Sequence, residues 1–308
     1  MIYFVEVTTK CNLRCSFCYN EEIQNKMRMS TETFNKLLDS ISPSDDFIIF
    51  TGGEALTNRN IFDFIDACKE KGVKYSISTN GWLGLKYWDK FTEYLPENIH
   101  LSIDGLAKTH DQIRSSSGLF NKIHELLLKI ENSNFKIGVF VQITVGRENL
   151  YEANRVIEYL SEFKCVSEIK VTPYYQLLDF SIFDYIYQMK ASVGVSSEIV
   201  TKNEFAMFIK QILSGVNPTL IVVKPNGYIH PYFGLRSKWD LINLEHRLSI
   251  KEIRNLFFEL FLALILKEEN IIDKNFEYYN INSFIYDILS RGDKNESVSA
   301  IKKHFNKE

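Results

Sequence analysis

The feature that most constrains the fold is a regular alternation of short β-rich runs with amphipathic segments. The β-rich runs are residues 2–7, 46–50, 73–78, 99–103, 136–145 and 168–171. The amphipathic segments between them are residues 31–40, 60–71, 85–94, 120–131 and 151–163. Strands that alternate with helices in this way indicate parallel βαβ units with right-handed crossovers.

Six such units in about 170 residues predict an α/β fold, a partial (β/α)6 TIM barrel, because a complete barrel needs about 250 residues. An open doubly wound sheet is the alternative. After residue 172 the alternation stops, and residues 219–223 and 228–233 flank an Asn226-Gly227 turn, a pattern typical of a hairpin. From Ser249 onward the sequence predicts helices. We therefore expect a barrel core at residues 1–175 and a hairpin-plus-helices extension at residues 176–308.

Composition limits the partners and the compartment. The 308 residues carry a net charge of −3, which gives no basic surface for nucleic acid. The longest apolar run, residues 256–266, contains Glu259 and is too short to cross a bilayer. No signal peptide is visible at the start, and the five cysteines do not form a disulfide framework in a chain of this length. These features predict a cytoplasmic protein that uses neither nucleic acid nor a membrane.

Three cysteines, Cys11, Cys15 and Cys18, directly follow the first predicted strand. Structural zinc takes four ligands, but the next cysteine is Cys68 and the first histidine is His100. An iron–sulfur cube held at three corners keeps its fourth iron open, and soft thiolates suit it. A zinc loop completed by a distant residue is the alternative.

Other polar and glycine-rich motifs stand at the ends of successive predicted strands, where parallel α/β folds bind ligands. Taken alone, each motif also fits an ordinary turn. On the fifth strand, Gln142 and Thr144 share a face and are either satisfied core residues or cofactor contacts. The motifs are Thr51-Gly52-Gly53-Glu54, Ser78-Thr79-Asn80-Gly81, Ser102-Ile103-Asp104-Gly105, His110-Asp111-Gln112-Ile113-Arg114 and Gly118-Leu119-Phe120.

In this order the motifs resemble those of radical S-adenosylmethionine (SAM) enzymes. The cysteine loop is similar to the CxxxCxxC signature, and residues 102–120 are similar to the SxDG…HDxxR…GxF pattern of the branch with SPASM or twitch extensions. The resemblance implies one 4Fe–4S cluster on Cys11, Cys15 and Cys18, with SAM on the open iron. It implies that Glu54 receives the methionine amino group and Arg114 the carboxylate. The residues implied at the cofactors are Phe17, Tyr19, Gly52, Gly53, Glu54, Ser78, Asn80, Ser102, Asp104, Arg114, Gln142 and Thr144.

The predicted hairpin departs from this family at one position. Residues 224–232 resemble the family's hairpin, but Tyr232 stands where a cysteine is expected, and no cysteine follows Cys165. The region therefore lacks thiolates for an auxiliary cluster. His230 and His246 are more readily interpreted as ordinary polar residues than as metal ligands.

The resemblance implies reductive cleavage of SAM to a 5′-deoxyadenosyl radical, which abstracts hydrogen from a substrate carbon. The expected substrate is a peptide, a ribosomally synthesised natural-product precursor that is crosslinked or epimerised. A small-molecule substrate (a sugar, amino acid or nucleotide) and a non-catalytic cluster-binding subunit are the alternatives. The expected partners are a one-electron reductant such as flavodoxin or ferredoxin and a separate leader-peptide-binding protein. The hairpin and the aromatic segment 174–187 are expected to close the barrel, and the sequence identifies no catalytic residue.

Overall fold

The computed structural model of the chain describes residues 1–18, 26–173, 200–202, 220–230 and 242–244. Its strands are β1 (Ile2–Thr8), β2 (Phe47–Gly52), β3 (Lys74–Thr79), β4 (Asn98–Ser102), β5 (Gly138–Val145), β6 (Val166–Pro173), β7 (Val200–Lys202), β8 (Leu220–Val223), β9 (Tyr228–His230) and β10 (Ile242–Asn243). Its α-helices are α1 (Thr31–Asp39), α2 (Ile61–Lys71), α3 (Trp88–Tyr94), α4 (Ala107–Ile113), α5 (Leu119–Glu131) and α6 (Ala153–Leu160).

These strands form one sheet in the order β10-β9-β8-β1-β2-β3-β4-β5-β6-β7. All neighbours from β8 to β7 are parallel, whereas β8–β9 and β9–β10 are antiparallel. Within the described residues the sheet does not close on itself. The predicted partial barrel is confirmed as an open, mostly parallel α/β sheet.

The two faces of the sheet have different partners because side chains alternate along each strand. Residues such as Val5, Phe50 and Ile77 belong to the large buried core that the sheet forms with its helices. The opposite face, called the inner face here, buries a small apolar cluster that contains Phe4, Ile49 and Val222. The polar side chains discussed below lie mainly on the inner face and at the carboxyl ends of the strands.

Local signals explain where the helices begin and end. Ser30 caps α1, because its side-chain oxygen accepts a hydrogen bond from the Thr33 N–H at 3.0 Å. Gly72 ends α2 in the left-handed region, with φ 74°, where glycine carries no steric penalty. Cys68 on α2 is fully buried in the core, while Cys165 is half-buried against the same core.

Several predicted boundaries differ from the structure. Helix α4 covers residues for which no helix is predicted from the sequence, since its seven residues carry only a short apolar pattern. Helix α3 begins at Trp88, three residues later than predicted, and β6 extends from Val166 to Pro173.

The predicted hairpin is present. Lys224 N–H donates to the Tyr228 carbonyl at 2.8 Å, and Gly227 takes φ 84° in the turn. Most of the predicted extension lies outside the described residues. So do the predicted boundary at 175/176, the segment 174–187, Tyr232, His246 and the helices predicted from Ser249 onward. Among the described helices, none has the length and apolarity needed to cross a membrane.

Candidate active site

The three cysteines lie in a loop that starts at the carboxyl end of β1. Backbone hydrogen bonds fix this loop to its surroundings on two sides. Glu54 N–H donates to the Lys10 carbonyl at 2.9 Å, and Ser16 N–H donates to the Ile113 carbonyl at 2.9 Å. The loop is therefore attached both to the end of β2 and to the end of α4.

Gly52 and Gly53 lie against the backbone that leads into the cysteine loop. Gly52 has φ 137°, and a Cβ added there would stand 2.3 Å from the Thr8 carbonyl oxygen. A Cβ on Gly53 would stand 2.6 Å from the carbonyl oxygens of Thr9 and Lys10. Glycine is thus required at both positions because the end of β2 approaches the loop so closely.

Glu54 is a buried carboxylate, 2% exposed, that follows the two glycines. It accepts hydrogen bonds from Thr79 Oγ1 at 2.8 Å, from Asn80 N–H at 2.7 Å and from Leu56 N–H at 3.1 Å. Burial raises the pKa of Glu54, and these three donors oppose that rise. The carboxylate is held in a fixed orientation beside the end of β3.

Asn80 connects the end of β3 to the cysteine loop. Its amide Nδ2 donates to Asn12 Oδ1 at 2.9 Å and lies 3.8 Å from Cys11 Sγ. Its Oδ1 accepts from Trp82 N–H at 3.0 Å, which fixes the orientation of the amide.

Arg114 and Asp104 form a buried ion pair in which Arg114 Nε donates to Asp104 Oδ2. The other oxygen of Asp104 accepts from Thr144 N–H at 2.8 Å. Arg114 Nη1 lies 3.7 Å from Cys15 Sγ, and the guanidinium carbon lies 5.1 Å from the centre of the Phe17 ring. Burial opposes the charge on Arg114, but Asp104 and Cys15 outweigh it and raise the pKa of Arg114 above its ordinary value.

Two buried residues that the sequence analysis did not assign to the site support Asp104. Asn149 Nδ2 donates to the Asp104 carbonyl at 2.6 Å and to the Thr144 carbonyl at 2.8 Å. His110 Nδ1 accepts from Asp104 N–H at 3.0 Å, and burial lowers the pKa of His110 to about 4. His110 stands in the HDxxR run, and this contact fixes the backbone that follows β4. Asn149 carried no signal, because a lone Asn after a strand is common in turns.

The other predicted cofactor contacts lie on or near the inner face. Ser102 and Gln142 are partners in the β4–β5 register, and each is half-buried. Thr144 follows on the same face of β5, and Ser78 pairs with His100 in the β3–β4 register. These side chains occupy neighbouring positions near the strand ends, whereas Tyr19 lies outside the described residues.

The chemistry of the three thiols fits the irons of one cube. All three are free and half-buried. Burial raises the pKa of Cys11 to about 11, and the charges of Glu54, Cys15 and Cys18 add to this rise while the Leu13 N–H opposes it. Among the described residues, no three Cys, His, Asp or Glu side chains are close enough to share a single metal ion. A cube needs no such group, since it takes each thiolate on a different iron.

The chain is similar in sequence and in fold to known proteins. Residues 5–160, just over half of the chain, match the sequence model of the Radical SAM superfamily. The chain is 28% identical over 162 residues to Fe-coproporphyrin III synthase of Methanosarcina barkeri, a match that covers 51% of this chain and 40% of that protein. It is 28% identical over 160 residues to the sporulation killing factor maturation protein SkfB of Bacillus subtilis, covering 50% of this chain and 38% of that protein.

The chain therefore spans about two fifths of the length of these curated relatives. The fold is shared with solved structures. One is native anSMEcpe with bound AdoMet and Cp18Cys peptide, with a TM-score of 0.60 and 18% identity over 81% of this chain and 78% of that chain. With its matched sequence, its open α/β sheet and its cysteine loop, the chain belongs to the radical SAM superfamily, whose members use a 4Fe–4S cluster and SAM.

Proposed function

We propose that the chain is a radical SAM enzyme that modifies a peptide, a ribosomally synthesised precursor, by hydrogen abstraction followed by crosslinking, epimerisation or a related change. The observation that carries the proposal is the convergence of Glu54 and the Arg114–Asp104 pair on one cysteine loop. A fixed carboxylate and a fixed guanidinium suit the ammonium and carboxylate of a methionine group. A relative named as the maturation protein of a sporulation killing factor supports the peptide assignment.

Each part of the site has a separate role in this proposal. Cys11, Cys15 and Cys18 hold the cluster, Glu54 binds the methionine amino group, and Arg114 binds the carboxylate. Gly52 and Gly53 let the backbone approach the cofactor, and Asp104 acts through Arg114 and the β5 backbone. The remaining predicted contacts border the cofactor: Phe17, Tyr19, Ser78, Asn80, Ser102, Gln142 and Thr144. Bound there, the cluster and SAM supply a 5′-deoxyadenosyl radical.

The protein's own contribution around that chemistry is orientation and exclusion of water. The inner face buries Phe4, Ile49 and Val222, so one part of this face is apolar and excludes water. The sequence has no cysteine after Cys165 for an auxiliary cluster. We therefore assign a reaction that needs only one cluster. In this proposal flavodoxin or ferredoxin is the reductant, and a separate protein binds the leader peptide.

A small-molecule reaction is the second candidate. A relative named as the synthase of a porphyrin, Fe-coproporphyrin III, supports it. The two candidate functions share the cofactor site and differ in the substrate, a peptide or a small molecule, that binds at the inner face.

The test begins with the full chain reconstituted anaerobically with iron and sulfide. We expect about four irons per chain and, with dithionite and SAM, formation of 5′-deoxyadenosine measured by mass spectrometry. Cys15→Ala should abolish both, whereas Cys165→Ala should retain both, because Cys165 lies outside the loop. A chain with a full cluster that forms no 5′-deoxyadenosine would contradict the enzyme assignment.

The substrate class is then tested with short peptides encoded beside the gene. We expect the 5′-deoxyadenosine yield to rise with the matching peptide, and the peptide to show a mass change or deuterium uptake from solvent. Modification of a porphyrin or sugar instead, with every such peptide left unchanged, would favour the second candidate.

A further inference from the structure

The sulfur atoms of the three cysteines differ in the hydrogen-bond donors that surround them. Cys11 Sγ accepts from Leu13 N–H at 3.4 Å and from Asn80 Nδ2 at 3.8 Å. Cys15 Sγ accepts from Arg114 Nη1 at 3.7 Å. Among the described residues, no donor to the Cys18 sulfur is found. Side-chain donors are therefore directed at two of the three sulfurs, those of Cys11 and Cys15.

The Arg114 donor is fixed in place by its own contacts. Its Nε is occupied by Asp104, whose second oxygen is occupied by Thr144 N–H. The Phe17 ring covers the guanidinium, and Arg114 is only 8% exposed. The Ser16–Ile113 backbone hydrogen bond attaches the loop that carries Cys15 to the residue before Arg114. Both partners of the Nη1–sulfur contact are therefore held in place, Arg114 by Asp104 and Phe17, and Cys15 by the backbone hydrogen bond of the next residue.

Hydrogen bonds and positive charge at a cluster's sulfurs stabilise its reduced, more negative state. A charged donor has the larger effect, particularly where solvent is excluded. An Asn amide at 3.8 Å has the same direction of effect and a smaller size.

We propose that Arg114 and Asn80 donate hydrogen bonds to the cluster-ligating sulfurs of Cys15 and Cys11, and that Arg114 in particular raises the cluster's reduction potential independently of SAM. The inference depends on the proposed ligation of the cluster by the three cysteines. This role of Arg114 is compatible with its proposed role in binding the methionine carboxylate. Nε contacts Asp104 and Nη1 contacts Cys15, so Nη2 is left for the carboxylate.

The experiment measures the midpoint potential of the reconstituted, SAM-free full chain by redox titration followed by electron paramagnetic resonance. Arg114→Gln should shift the midpoint to more negative values, and Asn80→Ala should shift it in the same direction by less. The matched control is Arg14→Gln. Arg14 lies in the same loop, but its Nη1 donates to the carbonyls of Cys11 and Leu13 and not to a sulfur. This control should leave the midpoint unchanged.

Arg114→Lys keeps the charge without the planar fork, so its midpoint should fall between those of the wild type and Arg114→Gln. If Arg114→Gln does not take up the full iron content, Arg114→Lys and Asn80→Ala carry the test. An unchanged midpoint potential in every iron-loaded variant would overturn the inference. A shift in Arg14→Gln as large as that in Arg114→Gln would also overturn it, because the loss of one positive charge would then explain both shifts. Failure of the proposed function has a different signature: a reducible wild-type cluster that does not cleave SAM.

Discussion

Lys224 Nζ lies 3.0 Å from Glu6 Oε2, so the hairpin at β8–β9 is joined to the first strand by an ion pair on the inner face. The two side chains are 15% and 3% exposed, respectively. Because Val5 pairs with Val223 in the β1–β8 register, the next residues on each strand are brought side by side. Removing one partner of such a pair leaves the other charge buried without compensation.

We therefore expect Lys224→Met to lower the free energy of unfolding by about 3 kcal/mol, as is typical for one partner of a buried pair. The double variant Glu6→Gln/Lys224→Met should recover most of this loss, because it leaves no unpaired charge. Urea unfolding of the two single variants and the double variant measures the coupling. Additive losses in the double variant would show that the two side chains do not stabilise each other.

Gly53→Ala should disrupt the cysteine loop. The new Cβ would meet the carbonyl oxygens of Thr9 and Lys10 at 2.6 Å, so the backbone before Cys11 must move. We expect iron content after reconstitution to fall to less than half that of the wild type. The control is Gly72→Ala, which also adds a Cβ but has open space around it. With φ 74°, it should cost about 1 kcal/mol of stability and leave iron content unchanged. Equal iron loss in both variants would indicate general destabilisation.

Glu54→Gln should weaken SAM binding at least tenfold, because the negative charge that we propose to bind the methionine ammonium is lost (about 1.4 kcal/mol or more). Equilibrium dialysis of the reconstituted chain against labelled SAM measures this. Glu131→Gln is the control, since Glu131 also accepts two backbone N–H groups, those of Lys164 and Cys165, at the end of α5. It should lose some stability and keep its SAM affinity. Unchanged SAM binding in Glu54→Gln would remove Glu54 from the cofactor site.

His110 should make stability depend on pH. Its pKa is lowered by burial from 6.5 to about 4, so the unfolded chain takes up the proton first as pH falls. The stabilisation from neutral His110 is complete above pH 6.5 and is lost as pH falls towards 4, up to about 3 kcal/mol. His110→Asn offers an acceptor to Asp104 N–H but does not titrate. Its free energy of unfolding, measured by urea unfolding at each pH, should therefore change less between pH 6.5 and pH 4 than that of the wild type. Parallel pH profiles for wild type and variant would contradict the assignment.

The order of the barrel strands was predictable because each strand is a short apolar run followed by an amphipathic segment. The addition of β8 beside β1 was not, since the alternation stops near residue 172 and the register between distant strands leaves no local pattern. Helix α4 was missed for a related reason. Its seven residues are too few for a helical period to appear, and its buried His110 does not count as an apolar residue.

The candidate site was predictable where a motif is local. Cys11, Glu54 and Arg114 each belong to a short, recognisable run. Their mutual contacts were not predictable, because Arg114 meets Cys15 across 99 positions of sequence and Asp104 meets Thr144 across 40. Asn149 has three partners within hydrogen-bond distance, yet its role depends on the turn that follows β5, which sequence alone does not fix.

The pairing of β8 with β1 has a mechanical consequence for the cysteine loop. With β2 on one side and β8 on the other, β1 has hydrogen-bonded neighbours on both sides. The β8 ladder covers Ile2 to Val5, and the β2 ladder continues to Thr8, three residues before the first thiol. Residues more than two hundred positions downstream thus help to hold the first half of the strand that leads into the cysteine loop, and a chain truncated before β8 would leave that half hydrogen-bonded to β2 alone.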